Sequence, residues 1–359
     1  MFPSNPIIRT LFLLFVVLIA SGIFGLIIWR GGNALGFDLK WKTIGLLSLG
    51  LLGLFIAGMA IGNLAGRPFE IIGILIVWIV YTLWVISPLL IVRDIIAIWY
   101  KIPFLVMTIV SILWVLVGIY FGTTTKITPL HITSSHLSGT HKIVFISDIH
   151  VEAIHNTRYI QSIVNKIKVL QPDFVLLGGD LMNTAKSDYV DAFLPFNQLD
   201  IPVYATLGNH DNMGEAKAIA GIFDTTKIIP LRNQSVNISG IQIVGIDDKS
   251  YRSGQTLTEI LDKSQIATGA QFTILISHQP QKLSKLAGYP IDLELAGHTH
   301  QGQFIPLSWL IGVFNDYAYG KYEESGKTAF VSQGIGTWGA PIRIGTQSEL
   351  VLITLEHGK

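Results

Sequence analysis

Residues 143–150 read Ile-Val-Phe-Ile-Ser-Asp-Ile-His, a short apolar run that ends directly in an aspartate and a histidine. Such a run is too short for a buried helix and is typical of a buried β-strand. Similar runs follow along the chain, at residues 174–177, 203–207, 241–246, 272–276 and 293–296. Each of them predicts a further strand.

Amphipathic segments separate these runs. Residues 157–170 place apolar side chains at helical spacing and predict a helix, and residues 256–267 predict a second one from a weaker pattern. Strands that alternate with helices predict an α/β domain. After Phe121 the sequence becomes small and polar, which predicts a linker at 122–141, with room for one strand, before the domain at 142–359.

Side chains that can bind metal ions follow five of the six predicted strands. Ligands bind outside the carboxyl ends of strands in α/β folds, so five such strands in one sheet would bring these groups to one edge. Each group alone is compatible with an ordinary turn or a helix cap. Their joint occurrence takes five of the ten histidines and favours one site made of Asp148, His150, Asp180, Asn209, His210, Asp211, His278, His298 and His300.

The ligand types indicate the chemistry of this site. Asp, Asn and His side chains, in a chain without cysteine, suit manganese, iron, zinc or a similar divalent ion. Without His210 and Asp211 the set still holds seven candidate ligands, more than one catalytic ion needs. They predict two ions, about 3.5–4 Å apart, that share a carboxylate and hold a phosphate. Neighbouring glycines, such as Gly208 and Gly297, would allow close approach of the backbone.

The motifs, in their order along the chain, resemble those of the calcineurin-like metallophosphoesterases. They are DIH at 148–150, GGD at 178–180, GNHD at 208–211, the strand-end His278 and GHTH at 297–300. The resemblance covers about residues 142–355, and GTWGAPIR at 336–343 is similar to a C-terminal stretch of the membrane-associated branch of that family. It implies an α/β fold that is an αββα sandwich of two mixed sheets.

The resemblance also implies a role for each residue. Asp148, His150 and His300 would hold one ion, Asn209, His278 and His298 the other, and Asp180 would bridge the two. His210 would act near the leaving group, as a general acid or as a stabiliser of phosphoryl charge. Asp211 would orient it by accepting its ring N–H. A hydroxide generated at the metal ions, and not a side chain, would attack phosphorus.

Some residues depart from those frequent in the family. Glu152, Gln301 and Ala340 do so, but none is an expected ligand. We therefore expect these residues to affect which substrate shape the site accepts, and not metal binding. Asp247 and Asp248 end another predicted strand, and we interpret them as part of a turn.

The N-terminal third of the chain is of a different kind. Only 14% of all residues are charged, whereas about a quarter are charged in soluble proteins. The imbalance comes from apolar stretches without charge, each of about the 20 residues that cross a bilayer core, with aromatic residues near their ends. They predict a transmembrane region at 1–121 with four helices, at about 7–29, 43–62, 71–92 and 102–121.

The basic residues of the loops predict the orientation. Four spans place the N-terminus and the C-terminal domain on the same side of the membrane. The loops on the other side carry five basic residues against three on the near side, which favours an extracytoplasmic domain. We therefore expect a multi-pass protein of the cell (inner) membrane. The net charge of +1 gives no electrostatic reason to expect a nucleic-acid partner.

Together these features predict a membrane-anchored, metal-dependent phosphoesterase that cleaves a phosphodiester, a pyrophosphate or a phosphomonoester. The apolar stretch 304–314 is interpreted either as buried core or as a flap that faces the bilayer and admits a lipid-linked substrate. Arg343 and Arg252 are candidates for gripping a substrate phosphate, with an exposed salt-bridged arginine as the alternative for each. The alternative functions are a non-catalytic membrane protein that binds a phosphate ligand, and a transporter or sensor, against which the uncharged spans argue.

Overall fold

A computed structural model of the chain describes residues 38–64 and 103–358 except residue 252, together with isolated positions between 25 and 96. The described residues fall into two compact units. The first takes the chain up to Tyr120 together with Phe304–Pro306 and Gly339–Ile344, and the second takes the remainder.

Two long apolar helices are described in the N-terminal part of the chain. Helix α1 spans Trp41–Leu64 and helix α2 spans Phe104–Thr123, where the second and fourth transmembrane helices are predicted. The first and third predicted helices lie largely outside the described residues. Among the residues that are described, one helix, Leu105–Thr123, is long and apolar enough to cross a membrane, with a mean hydropathy of 2.3.

The second unit is built on two mixed sheets, each of six strands in the described residues. The first sheet has the order β1-β12-β2-β3-β4-β5, with strands at Lys126–Ser134, Glu349–His357, His141–Ile146, Phe174–Gly178, Val203–Thr206 and Ile228–Pro230. The second has the order β10-β11-β9-β8-β7-β6, with strands at Gly320–Glu324, Lys327–Val331, Leu293–Ala296, Phe272–Ile276, Ile241–Gly245 and Gln234–Ile238. Strands β2 to β5 run parallel, as do β7, β8, β9 and β11.

Helices cover the outer faces of both sheets. They are α3 at Thr157–Leu170, α4 at Ala216–Thr225 and α5 at Leu257–Lys263, joined by 3-10 segments, the longest at Ser187–Gln198. Helix α6, Leu307–Phe314, follows the metal-binding motif GHTH. Helix α3 has the predicted bounds. Helix α5 begins at the predicted place, where Thr256 and Glu259 form a reciprocal cap, but it ends at Lys263, before the predicted residue 267.

The alternation of side chains along each strand explains the layers. In β2, Ile143 and Phe145 point into the core between the two sheets, whereas Val144 and Ile146 join the core beneath α3 and α4. All four side chains are fully buried. A strand buried on both faces reads as a continuous apolar run, which is why β2 could be predicted. The result is the predicted αββα sandwich.

The predicted linker 122–141 contains the one strand for which the sequence left room: β1 pairs in parallel with β12 at the edge of the first sheet. One expectation needs correction. The five ligand-bearing strands do not share one sheet: β2, β3 and β4 belong to the first, and β8 and β9 to the second. Because the sheets pack face to face, the carboxyl ends of both groups of strands still meet.

Candidate metal centre

The backbone is bent sharply where the metal-binding side chains leave the strands. Asp148, His150, Asp180, His298 and His300 all have positive φ angles, between 48° and 71°. A residue with a side chain rarely adopts this conformation, which costs about 1–3 kcal/mol at each position. Hydrogen bonds between the strand ends hold it, such as the amide of Asp148 to the carbonyl of Gly179 at 3.0 Å. Strain concentrated in this way is typical of a functional site.

One group of ligand atoms is formed by Asp148, His150 and His300. Nε2 of His150 and Nε2 of His300 lie 3.0 Å apart, and Oδ1 of Asp148 lies 3.3 Å from the latter and 4.0 Å from the former. All three side chains are buried. The sequence prediction assigned the same three residues to one ion.

A second group is formed by Asp180, His278 and His298. Nε2 of His278 lies 3.2 Å from Oδ2 of Asp180 and 3.2 Å from Nδ1 of His298. The same Oδ2 of Asp180 is 3.7 Å from Nε2 of His150, in the first group. Asp180 therefore stands between the two groups, the place that was predicted for a bridging carboxylate.

Hydrogen bonds with backbone groups orient these ligands. Nδ1 of His278 is 2.9 Å from the carbonyl oxygen of Gly178 and donates to it, so Nε2 is the nitrogen that is left for a metal ion. The amide of His298 donates to both carboxylate oxygens of Asp148 at 3.1 Å. The backbone of His298 is thus held by Asp148 of the first group, whereas its ring belongs to the second group.

Asn209 supplies a further oxygen. Its Oδ1 is buried and has no hydrogen-bond partner among the described residues. Leaving a buried acceptor unsatisfied costs about 1–3 kcal/mol. Coordination of a metal ion by this oxygen would remove that cost. A donor set of carboxylate, imidazole and amide atoms without sulfur fits hard or borderline divalent ions. The residues present therefore fit a pair of such ions.

Electrostatics keep four of the ligands in the forms that bind metal. Burial acts to raise the pKa of Asp148 and of Asp180, but the neighbouring histidines hold both carboxyl groups well below their ordinary values. Burial, and then the proximity of His278, lower the pKa of His298 to about 3, and burial with His210 lowers that of His150. The carboxylates are therefore ionised and these two rings neutral near pH 7.

His210 lies at the rim of the centre, half-buried. Its ring packs edge-on against that of His150, with 4.9 Å between centroids, and one of its ring nitrogens lies within 4.8 Å of ligand atoms of His150 and Asp180. Its Nδ1 is 2.8 Å from the carbonyl oxygen of Asn183. The expectation that Asp211 accepts this ring N–H is therefore wrong.

Asp211 has a different position, under the loops of the centre. Its Oδ1 accepts the amide of Met182 at 3.0 Å and its Oδ2 the amide of Gly208 at 2.8 Å. Burial, and then the charge of Asp180, raise the pKa of Asp211 to about 7. The side chain thus fixes the turn that carries Asn209 and His210, instead of contacting the imidazole.

Two glycines permit the close approach of the loops, as expected. A Cβ at Gly208 would collide with Oδ1 of Asp180, and one at Gly297 would collide with Oδ2 of Asp148 and with Ser147. No side chain fits at either position unless a metal ligand moves. These glycines are therefore part of the site's geometry.

Glu152 and Asn183 belong to the surroundings of the site, and only Glu152 drew notice in the sequence. Nδ2 of Asn183 donates to Oε2 of the buried Glu152 at 2.8 Å, and the carbonyl of the same Asn183 receives the ring N–H of His210. Asn183 could not be found from sequence, because its contact to His210 is made by a backbone oxygen that every residue possesses.

The remaining candidates are not among the residues of the two ligand groups. Arg343 belongs to the first unit and is fully buried, with its amide donating to the carbonyl of Gly118 at 2.9 Å, so the exposed arginine considered for this position is wrong. Arg252 lies outside the described residues. Asp247 forms a bidentate pair with Arg232, at 2.9 Å for each bond, and Asp248 accepts the amide of Ser250. The last two contacts agree with the interpretation of a turn.

Comparison with known proteins agrees with this geometry. The family model for calcineurin-like phosphoesterases matches residues 141–302. An uncharacterized metallophosphoesterase of Helicobacter pylori is 32% identical over 64% of this chain and 63% of its own length. The uncharacterized protein YpbG of Bacillus subtilis is 32% identical over 59% of this chain and 80% of its own.

A third relative has a name that refers to the membrane. The bovine transmembrane protein with metallophosphoesterase domain is 28% identical over 65% of this chain and 56% of its own length. The chain thus spans less than two thirds of the length of both the Helicobacter and the bovine relative.

Proposed function

Because the chain belongs to the calcineurin-like phosphoesterase family, we propose that it is a membrane-anchored, metal-dependent phosphoesterase. It hydrolyses a phosphodiester, a pyrophosphate or a phosphomonoester at a centre of two divalent ions. One observation carries the proposal above all others: Oδ2 of Asp180 lies within 3.7 Å of Nε2 of His150 and within 3.2 Å of Nε2 of His278, so that one carboxylate serves two groups of ligands.

The residues divide the work as follows. Asp148, His150 and His300 would hold one ion, Asn209, His278 and His298 would hold the other, and Asp180 would contribute to both. When bound, the ions would supply Lewis acidity toward the phosphoryl oxygens and an activated water. His210 stands beside both groups with Nδ1–H fixed on Asn183, and in its imidazolium form it would deliver the proton on its other ring nitrogen to the leaving oxygen.

The proposal extends to the location of the enzyme. The apolar helix Leu105–Thr123 and the membrane-related name of the bovine relative support anchoring in a membrane. We further propose four spans, with the metal-binding domain on the extracytoplasmic side of the cell (inner) membrane, from the charge-free segments and the loop charges of the sequence.

The substrate is proposed to be a lipid-linked phosphoester. Helix α6 begins seven residues after the ligand His300 and exposes large apolar side chains, among them Trp309 and Val313. Such a surface next to a phosphoesterase centre suits a phosphoester whose remaining part is an acyl or isoprenoid chain. No contact of Arg343 or Arg252 with substrate is needed for this assignment, and both remain predictions.

The test is hydrolysis of a chromogenic phosphodiester by the detergent-solubilised protein with added Mn²⁺. We expect activity in the wild type, its loss in Asp180→Asn, and a fall in kcat of about 10²–10⁴-fold in His210→Ala. Asp224→Asn, at an exposed residue of α4, is the control and should keep full activity. A wild type that binds manganese and hydrolyses no phosphoester would favour the alternative, a membrane protein that binds a phosphate ligand without catalysis.

A further inference from the structure

Helix α6 presents a contiguous apolar face on the surface of the domain that carries the metal centre. Trp309 and Val313 are 72% and 75% exposed, and Leu310 and Phe314 are each 48% exposed. Among the eight residues of the helix, Ile311 is the one that is buried. Four large apolar side chains this close together on a surface usually mark an interaction site.

The spacing of these side chains is that of a helix lying on an apolar phase. Trp309 and Val313 are four residues apart, as are Leu310 and Phe314, so the two pairs form adjacent rows on one side of the helix. The sequence from Phe304 to Phe314 contains no charged residue. A short helix with an apolar face and a tryptophan is typical of segments that lie in a membrane interface.

Hydrogen bonds from one loop, at residues 346–348, reach both the segment before α6 and the end of the candidate membrane helix α2. Oγ1 of Thr346 donates to the carbonyl of Gln303 at 2.7 Å. In the same loop, Ser348 donates through Oγ to the carbonyl of Gly122 at 2.8 Å and through its amide to that of Phe121 at 3.1 Å. Phe121 and Gly122 lie in the last turn of α2. The last turn of α2 and the segment that leads into α6 are therefore held by the same loop.

Basic side chains lie near the residue Asp316 that follows α6. Asp316, two residues after the end of α6, lies 3.0 Å from Nζ of Lys282. Lys249, Lys282 and Lys285 line, together with Asp316, a cavity of about 500 Å³. Three ammonium groups against one carboxylate favour the phosphate groups of anionic lipids.

We infer that α6 lies in the head-group region of the bilayer, with Trp309, Leu310, Val313 and Phe314 inserted among the lipid chains. The membrane is the partner of this surface. Insertion of α6 brings lipid to the edge of the candidate metal centre. The inference rests on the proposed membrane anchoring but not on the proposed phosphoesterase activity.

The absence of cysteine from the whole chain makes a depth measurement possible. Single cysteines are introduced as Val313→Cys and, as a second position on the same face, Leu310→Cys. Each is labelled with a nitroxide in full-length protein in nanodiscs of phosphatidylcholine and phosphatidylglycerol. The accessibility of the label to apolar O₂ and to polar Ni-EDDA is then compared. We expect both labels to be several-fold more accessible to O₂ than to Ni-EDDA.

Two controls make the outcomes distinct. Ile112→Cys reports on α2, where the side chain is 54% exposed, and Val169→Cys reports on helix α3 of the metal-binding domain, where it is 83% exposed. A lipid-like signal at 112 with a water-like signal at 310 and 313, equal to that at 169, would overturn the inference. A water-like signal at 112 would refute the anchoring as well. Spin–spin broadening at 313 would show a second copy of the chain on α6, which also overturns the inference.

Discussion

The ring Nδ1 of His210 lies 2.8 Å from the carbonyl oxygen of Asn183. This contact fixes the tautomer of the imidazole and leaves its other nitrogen for the reaction. Asn183 is itself held by a side chain, since its Nδ2 donates to Oε2 of Glu152 at 2.8 Å. Glu152 therefore acts as a positioning residue, which holds His210 through Asn183.

Removal of Glu152 should lower activity without removing any reacting group. In Glu152→Ala we expect kcat to fall about 10–100-fold, with KM for a phosphodiester little changed, because loosening of such supporting contacts typically has this effect. Glu152→Gln keeps an oxygen that accepts from Asn183 and should restore most of the activity. Steady-state kinetics across pH test this, and an alanine variant with unchanged kcat and pH profile would contradict it.

The glycine before Asn209 should be intolerant of a methyl group. A Cβ at Gly208 collides with Oδ1 and the backbone amide of Asp180, so Gly208→Ala must displace the bridging carboxylate. We expect manganese affinity to fall at least tenfold, together with a loss of about 1–3 kcal/mol in unfolding free energy. Gly269→Ala is the matched control, since a Cβ there meets open space. Isothermal titration of both variants decides, and equal affinities would refute the expectation.

Metal affinity should rise with pH through the titration of His278. Burial alone would lower its pKa, but the neighbouring Asp180 raises it to about 10. Without metal the ring therefore carries a proton near pH 7, which a bound ion must displace. The apparent affinity for Mn²⁺ should increase about tenfold per pH unit between pH 6 and 8 if one proton is released. Titrations in buffers of different ionisation enthalpy count that proton, and a pH-independent affinity would contradict the expectation.

Glu294 should make the stability of the domain depend on pH. Its side chain is fully buried, which raises its pKa to about 7 from an ordinary 4.5, while Oε1 accepts from Ser277 and from the amide of Gln281. At a pH between these two pKa values, Glu294 is protonated in the folded chain and ionised in the unfolded chain. The free energy of unfolding therefore falls as pH rises through this window, by about 3 kcal/mol at most.

Substitution isolates this contribution. Glu294→Gln mimics the protonated acid, so its thermal unfolding midpoint should decline less between pH 5 and pH 8 than that of the wild type. Glu323→Gln, at an exposed position, serves as the control. Identical pH dependence in Glu294→Gln and the wild type would exclude a buried, protonated Glu294.

The strands that could be predicted are those buried on both faces. Strands β2, β3, β4, β7, β8 and β9 read as short continuous apolar runs because helices cover one side and the other sheet covers the other. The strands that were missed lie toward the sheet edges or alternate with exposed residues. Strand β1 even contains Pro129, which an edge strand tolerates because the missing N–H can face away from the ladder.

The candidate site was predictable in its ligands but not in the contacts that hold them. Ligand type and position after a strand are properties of the sequence, and they placed His298 and His300 in different groups by way of the family resemblance. The partner of the His210 ring is a backbone carbonyl, which has no sequence signature, and so Asp211 was assigned a contact that it does not make. The burial of Arg343 depends on parts of the chain that are distant in sequence, and it could not be predicted from the residues around it.

The most direct test is the number of manganese ions bound per chain, measured by equilibrium dialysis and elemental analysis of the wild type and of Asp180→Asn. A carboxylate shared by two groups of ligands predicts two ions in the wild type and a sharply weakened second ion in the variant. One ion or none in the active wild type, or two ions held equally tightly after Asp180→Asn, would contradict a centre bridged by Asp180.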